Sequence, residues 1–309
     1  MRVGVVIIPT DPWPVAVARA RAVEAFGYDH LWTYDHLSWR RYREEPWHAA
    51  IPWLTGVAAA TERIRLGTMV TSPNFRHPVT LAKDAMTLDH VSGGRLVLGV
   101  GAGGIGFDAT VLGGTVLTPG VRAARLVEFV DTLDGLLRQP AYSHSGEFYT
   151  VHEARMVPGC VQIPRVPLAL AAAGTKTLAL AARQGDAWIT FGDPGAEDCS
   201  PAALDAVLRR QAAVLDRECE RIGRDPATID RVFLAGDAVE RPLRSVEAFR
   251  ELVQRIAALG FTDLVVHDPR PGDPVWDGDP AILEAIAREV LPELATEPRP
   301  HGTVAGAHQ

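Results

Sequence analysis

Asp35 and His36 stand next to each other in this chain, with Trp39 three residues further on. Histidine changes charge near neutral pH and an adjacent carboxylate can tune that change, so the pair is the best candidate for proton transfer. The alternative is a structural histidine holding a loop. Trp39 is a candidate wall for an aromatic substrate pocket. Gly174-Thr175-Lys176-Thr177 combines hydroxyls, a lysine and the free backbone N–H groups expected where a strand gives way to a helix. That combination suits a phosphate, and it also suits an ordinary helix start. Five glycines fall between Gly99 and Gly106, and Gly99-x-Gly101-x-x-Gly104 fits a dinucleotide fingerprint. The fingerprint belongs after the first strand of a nucleotide-binding unit, and here it follows a fourth strand. These glycines instead suit the close approach of a flat ring to the backbone.

The elements that must position these groups alternate. Apolar runs of the kind expected of strands buried on both faces lie at Val3–Ile8, His30–Tyr34, Arg63–Val70, Arg95–Val100, Leu168–Ala171, Ala187–Thr190, Asp230–Ala235 and Asp263–His267. Helical spacing follows each of them, at Pro14–Phe26, Pro52–Thr61, Val79–Val91, Val121–Leu137, Thr175–Gln184, Pro201–Ile222, Ser245–Ala258 and Pro280–Leu294. Eight strand-helix units predict an α/β fold, a single (β/α)8 TIM barrel over 1–295. A stretch from about 139 to 167 breaks the rhythm and is read as an inserted loop or hairpin at the barrel mouth. The tail 296–309, rich in Pro, Gly and His, is read as disordered. In such a barrel the chemistry sits just past the strand C-termini, which here are Pro9-Thr10, Asp35-His36, Val70–Ser72, the Gly99–Gly104 turn, Ala173–Thr177 and His267-Asp268.

The net charge of −7 argues against nucleic acid held through its phosphates. Three widely spaced cysteines, Cys160, Cys199 and Cys219, suggest neither a disulfide framework nor a metal site. The first apolar run stops at Pro9, too short for a signal peptide or a membrane span, so the chain reads as cytoplasmic.

Four segments resemble the bacterial-luciferase-like superfamily of flavin and deazaflavin oxidoreductases. They are Ala25-Phe-Gly-Tyr-Asp-His-Leu-Trp-Thr-Tyr-Asp-His-Leu37, Ala60-Thr-Glu-Arg-Ile-Arg-Leu-Gly-Thr68, Thr87-Leu-Asp-His-Val-Ser-Gly-Gly-Arg-Leu-Val-Leu-Gly-Val-Gly-Ala-Gly103 and Ala182-Arg-Gln-Gly-Asp-Ala-Trp188. The resemblance implies that His36, with Asp35 beside it, is the active-site histidine. It implies a non-prolyl cis peptide at Met69–Val70 behind the cofactor ring, and a turn Gly101-Ala102-Gly103 beside the ring or its ribityl chain. Gly174, Thr175, Lys176 and Thr177 would hold the cofactor phosphate. The chain departs from relatives at Gly104, where sugar-phosphate dehydrogenases of the deazaflavin branch carry glutamate, and at Ala102, where luciferase carries arginine. Arg76-His77-Pro78 matches the family pattern and is read as a loop anchor.

The resemblance implies hydride transfer to or from a small organic substrate with coenzyme F420, the deazaflavin, which the segment Gly67–Arg76 favours. The alternative is an FMN-dependent monooxygenase using reduced flavin and oxygen, and a third reading is a barrel that binds flavin without turnover. A flavin or F420 reductase is the expected functional partner, and a homodimer is compatible with the fold. Loops 39–50 and 105–120, with the insertion 139–167, would line the substrate pocket. Trp39, Tyr42, Trp47, Arg40, Arg41 and Arg43 suit an aromatic ligand, an anionic one or a partner surface.

Overall fold

A computed structural model describes residues 1–194, 199–236 and 241–295. The tail read as disordered, 296–309, lies outside the described residues. Eight parallel strands close into a barrel: β1 (Arg2–Val6), β2 (His30–Thr33), β3 (Arg65–Thr68), β4 (Leu96–Val100), β7 (Leu168–Ala171), β8 (Ala187–Thr190), β9 (Asp230–Leu234) and β10 (Asp263–His267). They follow one another around the ring in chain order, and β10 returns to β1. The helices between them are α1 (Trp13–Ala25), α2 (Ala50–Ala60), α3 (Pro78–Ser92), α4 (Pro119–Arg138), α5 (Thr175–Gln184), α6 (Pro201–Arg221), α7 (Val246–Ala258) and α8 (Ala281–Glu289). The predicted eighth helix is longer than the observed one. It breaks at Val290, and α9 (Leu291–Ala295) follows, because Pro292 has no N–H to continue the ladder.

Alternation along each strand divides the core in two. Residues such as Val3, Val5, Leu31, Leu66 and Leu98 point outward into the layer shared with the helices, which is one continuous apolar cluster. Val6, Trp32, Ala169, Ile189, Val232 and Val265 point to the barrel axis and form a second, smaller cluster. That interior is crowded. A Cβ at Gly4 would run into the His30 ring and one at Gly67 into the Trp32 ring, so glycine at both positions makes room for large side chains on β2.

Between α4 and β7 the insertion forms an antiparallel hairpin, β5 (Ala141–Ser145) with β6 (Thr150–Arg155). It packs along the flank of α4, where Glu128 accepts backbone N–H groups of Glu147, Phe148 and Tyr149 across the turn. Tyr149 meets His77 edge-on at 5.5 Å, so the turn reaches the rim of the mouth beside α3. The chain then descends, and Gln162 donates to the Leu96 carbonyl at the start of β4. No helix among the described residues is long and apolar enough to cross a membrane.

Candidate active site

The upper ends of β2, β3, β4 and β7 are neighbours in the ring, so the candidate residues from four distant parts of the chain converge on one side of the mouth. β3 leads into a cis peptide at Met69–Val70. The backbone beyond it is tied on both sides, Met69 N–H to Thr33 O at 2.8 Å and Thr71 N–H to Gly99 O at 2.8 Å. Gly101 sits opposite. A Cβ there would come 2.7 Å from Val70 Cγ2 and 3.3 Å from Ala171 Cβ, so Val70, Gly101 and Ala171 make a floor that admits nothing larger than glycine at its centre. Gly103 adopts a φ of 76°, the left-handed region that glycine enters without penalty. Asn74 braces this turn by donating to Gly104 O at 3.1 Å while accepting from Arg125 at 2.5 Å. At the end of β7, Gly174 precedes α5 with no side-chain cap, and Thr175 and Lys176 are exposed beside those free N–H groups. The Thr177 hydroxyl turns back to Gly174 O at 3.0 Å.

His36 lies half-buried past β2, and its carboxylate partner is not the adjacent residue. Its Nδ1 faces Asp108 Oδ2 at 2.5 Å, and Asp108 also accepts the Leu37 N–H at 2.9 Å. Asp35 is turned the other way. It is 1% exposed and takes a bidentate pair from Arg76, at 2.7 and 3.0 Å. The expectation that Asp35 tunes His36 by direct contact is therefore corrected: successive side chains leaving a strand point to opposite sides, and Asp35 belongs to the anchor made by Arg76. Asp108 lies in a short 3₁₀ turn, Phe107–Ala109, within the glycine-rich segment after β4. Nothing local in the sequence marks it. It joins His36 only because β4 is two places from β2 in the ring.

Trp39 lies among aromatic side chains beyond β2. Its ring is 6.2 Å from His36, meets Tyr34 at 5.1 Å and stacks on Tyr42 at 5.9 Å, with Trp47 at 6.2 Å. A second aromatic wall comes from the other side of the ring. His267, the last residue of β10, shares a hydrogen bond with the Tyr34 hydroxyl at 2.7 Å and stacks on Trp276 with ring centroids 3.4 Å apart. Burial drives the His267 imidazole down to a pKa of about 3, which favours its neutral form near neutral pH. Asp273 joins the two walls. It accepts the Tyr42 hydroxyl at 2.5 Å, the backbone N–H groups of Val275 and Trp276 at 2.9 Å, and Arg270 at 3.1 Å. Burial pushes the Asp273 carboxyl up, but these donors together hold it below the usual carboxylate range. Sequence reasoning missed Asp273, Tyr34 and Trp276, since an acid in a Pro- and Gly-rich loop carries no periodic signal.

The chain matches the family model described as luciferase-like monooxygenase over residues 1–239. It belongs to that family. Full-length similarity reaches an F420-dependent glucose-6-phosphate dehydrogenase of Beutenbergia cavernae, 30% identical over 89% of this chain and 92% of that protein. An F420-dependent hydroxymycolic acid dehydrogenase of Mycobacterium tuberculosis is 31% identical over 70% of this chain and 56% of its own length. The same barrel occurs in an F420-dependent secondary alcohol dehydrogenase solved with an F420–acetone adduct, with a TM-score of 0.79, 18% identity and coverage of 94% and 98% of the two chains. It also occurs in a monooxygenase of Streptomyces bottropensis, with a TM-score of 0.77, 19% identity and coverage of 95% and 100%. This luciferase-like chain shares its barrel with enzymes of oxidation and reduction, and its mouth carries the polar and aromatic groups described above.

Proposed function

We propose that this protein is a coenzyme F420-dependent oxidoreductase that moves a hydride to or from a small organic substrate, with His36 handling the accompanying proton. The observation that carries the reading is the His36–Asp108 pair past β2, on the side of the mouth where β3, β4 and β7 also end. With Nδ1 engaged by a carboxylate, the imidazole keeps Nε2 for the mouth, and its orientation is fixed. Relatives named as F420-dependent, one of them similar over nearly the full chain, supply the cofactor class.

The residues present fit a deazaflavin. The floor of Val70, Gly101 and Ala171 would take the ring, with the cis peptide behind it and Ala102 and Gly103 along its side. The uncapped start of α5, with Thr175, Lys176 and Thr177, would take the phosphate. When bound, the deazaflavin supplies two-electron hydride chemistry without activating oxygen. His36 then gives a proton to the substrate oxygen or carbon as it is reduced, or takes one as it is oxidised. Asp108 holds the ring in place and stabilises the imidazolium when it forms. The aromatic walls exclude water and orient the substrate over the floor. In this reading the chain works in the cytoplasm, with an F420 reductase returning the spent cofactor.

The test is an equilibrium titration of the purified chain with F420 and with FMN, each oxidised and reduced. Tight F420 and weak FMN binding is the expected result. The reverse overturns the deazaflavin assignment in favour of an oxygen-using FMN enzyme. F420 binding with full turnover retained in His36→Ala would remove the proton role.

A further inference from the structure

Several cations around the mouth are paired with carboxylates: Arg76 with Asp35, Arg270 with Asp11 and Asp273, and Arg19 with Asp268. Arg122 and Arg125, in the first two turns of α4, are not. Arg125 Nη2 donates to a neutral amide, Asn74 Oδ1, at 2.5 Å, and Arg122 Nη1 has no partner among the described residues. The first turn of α4 holds no acid of its own. Both side chains are half-buried. One nitrogen of each, Arg122 Nη1 and Arg125 Nε, is fully enclosed, so a ligand can meet only the outer nitrogens. Residues three apart on a helix are neighbours, and burial, with the Arg122 charge behind it, lowers the Arg125 pKa. Two like charges held together in this way are stabilised by an anion that binds both.

Their position is fixed from two sides. Arg122 and Arg125 each stand one turn before a core residue of α4, Leu126 and Phe129, so they continue the stripe that faces the barrel. Asn74 ties Arg125 to the glycine turn after β4 by donating to Gly104 O at 3.1 Å. On the other side, Asp131 of α4 accepts from Arg183 and Gln184 of α5, each at 3.1 Å. Both helices descend from strands of one parallel barrel and run the same way. Counting back about seven or eight residues along each, roughly 11 Å at the helical rise, brings Thr175–Thr177 level with the stretch from Arg122 to Arg125. The arginine pair therefore stands beside the α5 start proposed for the phosphate, on the side of the glycine turn.

We propose that Arg122 and Arg125 hold the carboxylates of the cofactor's tail. F420 differs from FMN in that its phosphate is a diester, continued by a lactyl group and γ-linked glutamates that carry carboxylates. The diester has a single negative charge, and the uncapped N–H groups of α5 with Thr175 and Lys176 already serve it. Two further cations match the carboxylates beyond it, which guanidinium groups take through paired N–H bonds. The positive end of α4 adds to the attraction. This rests on the proposed F420 site and places part of the preference for F420 over FMN on α4: FMN ends at its phosphate and leaves the arginine pair without a counter-charge.

Equilibrium fluorescence titration of the purified chain compares three oxidised ligands: diglutamyl F420, the deazaflavin ending at its 5′-phosphate, and the phosphate-free deazaflavin. The wild-type chain is expected to bind diglutamyl F420 about 10- to 30-fold more tightly than the 5′-phosphate, the sum of two half-exposed ion pairs. Arg122→Gln and Arg125→Gln should each remove about 3- to 5-fold of that gain, and the double variant all of it, with the other two ligands unaffected. Arg125 braces Asn74, so its variant could loosen the glycine turn, which weaker binding of the phosphate-free form would reveal; Arg122, with no such tie, then decides. Equal binding of diglutamyl F420 and the 5′-phosphate by the wild type, or a gain that survives in Arg122→Gln, overturns the proposal. So does a variant that weakens both phosphorylated ligands alike, since the arginines would then serve the phosphate. Failure of the phosphate-free deazaflavin to bind removes the cofactor assignment itself, whereas its binding without any gain from the tail removes this inference alone.

Discussion

At the lower end of the barrel, Trp32 donates to His30 at 2.6 Å, His30 pairs with Asp263 at 3.0 Å, and Arg2 bridges Asp263 and Asp230 at 2.6 and 2.7 Å. Each donor in that chain finds an acceptor inside the protein, and Gly4 is there to leave room for the histidine. At the upper end, Thr10, Trp47 and Trp276 keep buried polar atoms without a partner among the described residues. The same eight strands therefore end in a closed network below and an open one above. A self-satisfied network contributes to folding and has nothing left to give a ligand; an unsatisfied one costs stability until something binds. The difference sets the lower end, where His30, Arg2, Asp230 and Asp263 satisfy one another, apart from the upper end, where His36 and Trp39 stand.

Mutations should divide along that line. The largest effect is expected for His36→Ala, which should lower turnover about 10²- to 10⁴-fold, the usual share of a general acid or base, with the urea midpoint and F420 affinity nearly unchanged. Parallel losses of turnover and stability would mean that His36 is a structural member of the mouth. Asp263→Ala should do the opposite at the lower end. Removing one partner of a buried ion pair costs about 3–5 kcal/mol, so urea unfolding should shift strongly while activity per folded molecule stays at the wild-type level. Retained stability would show that the lower network is dispensable.

The division was only half legible in the sequence. The eight strands follow from apolar runs, and the strand ends at 35–36, 70–72, 99–104 and 173–177 from the turn residues beyond them, which are local signals; Met69–Val70 and the parts given to 101–103 and 174–177 came from the family resemblance. His36 and Trp39 were singled out because they follow a strand end. Asp108 was not found, since its meeting with His36 spans 72 residues and depends on ring closure. Asp35 was assigned to His36 by adjacency, and the strand's alternation sends it to Arg76 instead. The Tyr42–Asp273–Trp276 link spans more than 230 residues and joins two irregular loops, where no periodicity could announce it.

A smaller effect should come from His267, which belongs to the upper end yet is shielded like the lower one. Its folded pKa of about 3 lies below the ordinary 6.5, so between those values the unfolded chain takes up a proton that the folded chain refuses. Its contribution to stability is complete above pH 6.5 and is lost as the pH falls, by at most about 1.4 kcal/mol per pH unit. His267→Gln should be less stable at neutral pH, because it disturbs the Tyr34 contact and the Trp276 stack. The gap between variant and wild type should nevertheless narrow from pH 7 to pH 5. Curves that stay parallel would show that the histidine is hydrated or charged in the folded protein.

The smallest effect is expected at the exposed end of the site. Lys176 sits in the first turn of α5, next to N–H groups that no side chain caps. A surface charge near a helix N-terminus is screened by water, so its contribution to holding a phosphate is about 0.3–1 kcal/mol, a factor of roughly 2 to 5 in affinity. Lys176→Ala should weaken F420 binding by that factor in dilute buffer, and the difference should shrink at 0.5 M salt, where the Debye length falls to about 4 Å. The deazaflavin lacking its phosphate should bind wild type and variant alike, since the floor of Val70, Gly101 and Ala171 is untouched. If the phosphate-free form loses affinity as well, Lys176 acts on the fold of the β7–α5 turn and the phosphate lies elsewhere. If only F420 is affected, the α5 terminus is the phosphate end of a site whose other end is the aromatic mouth.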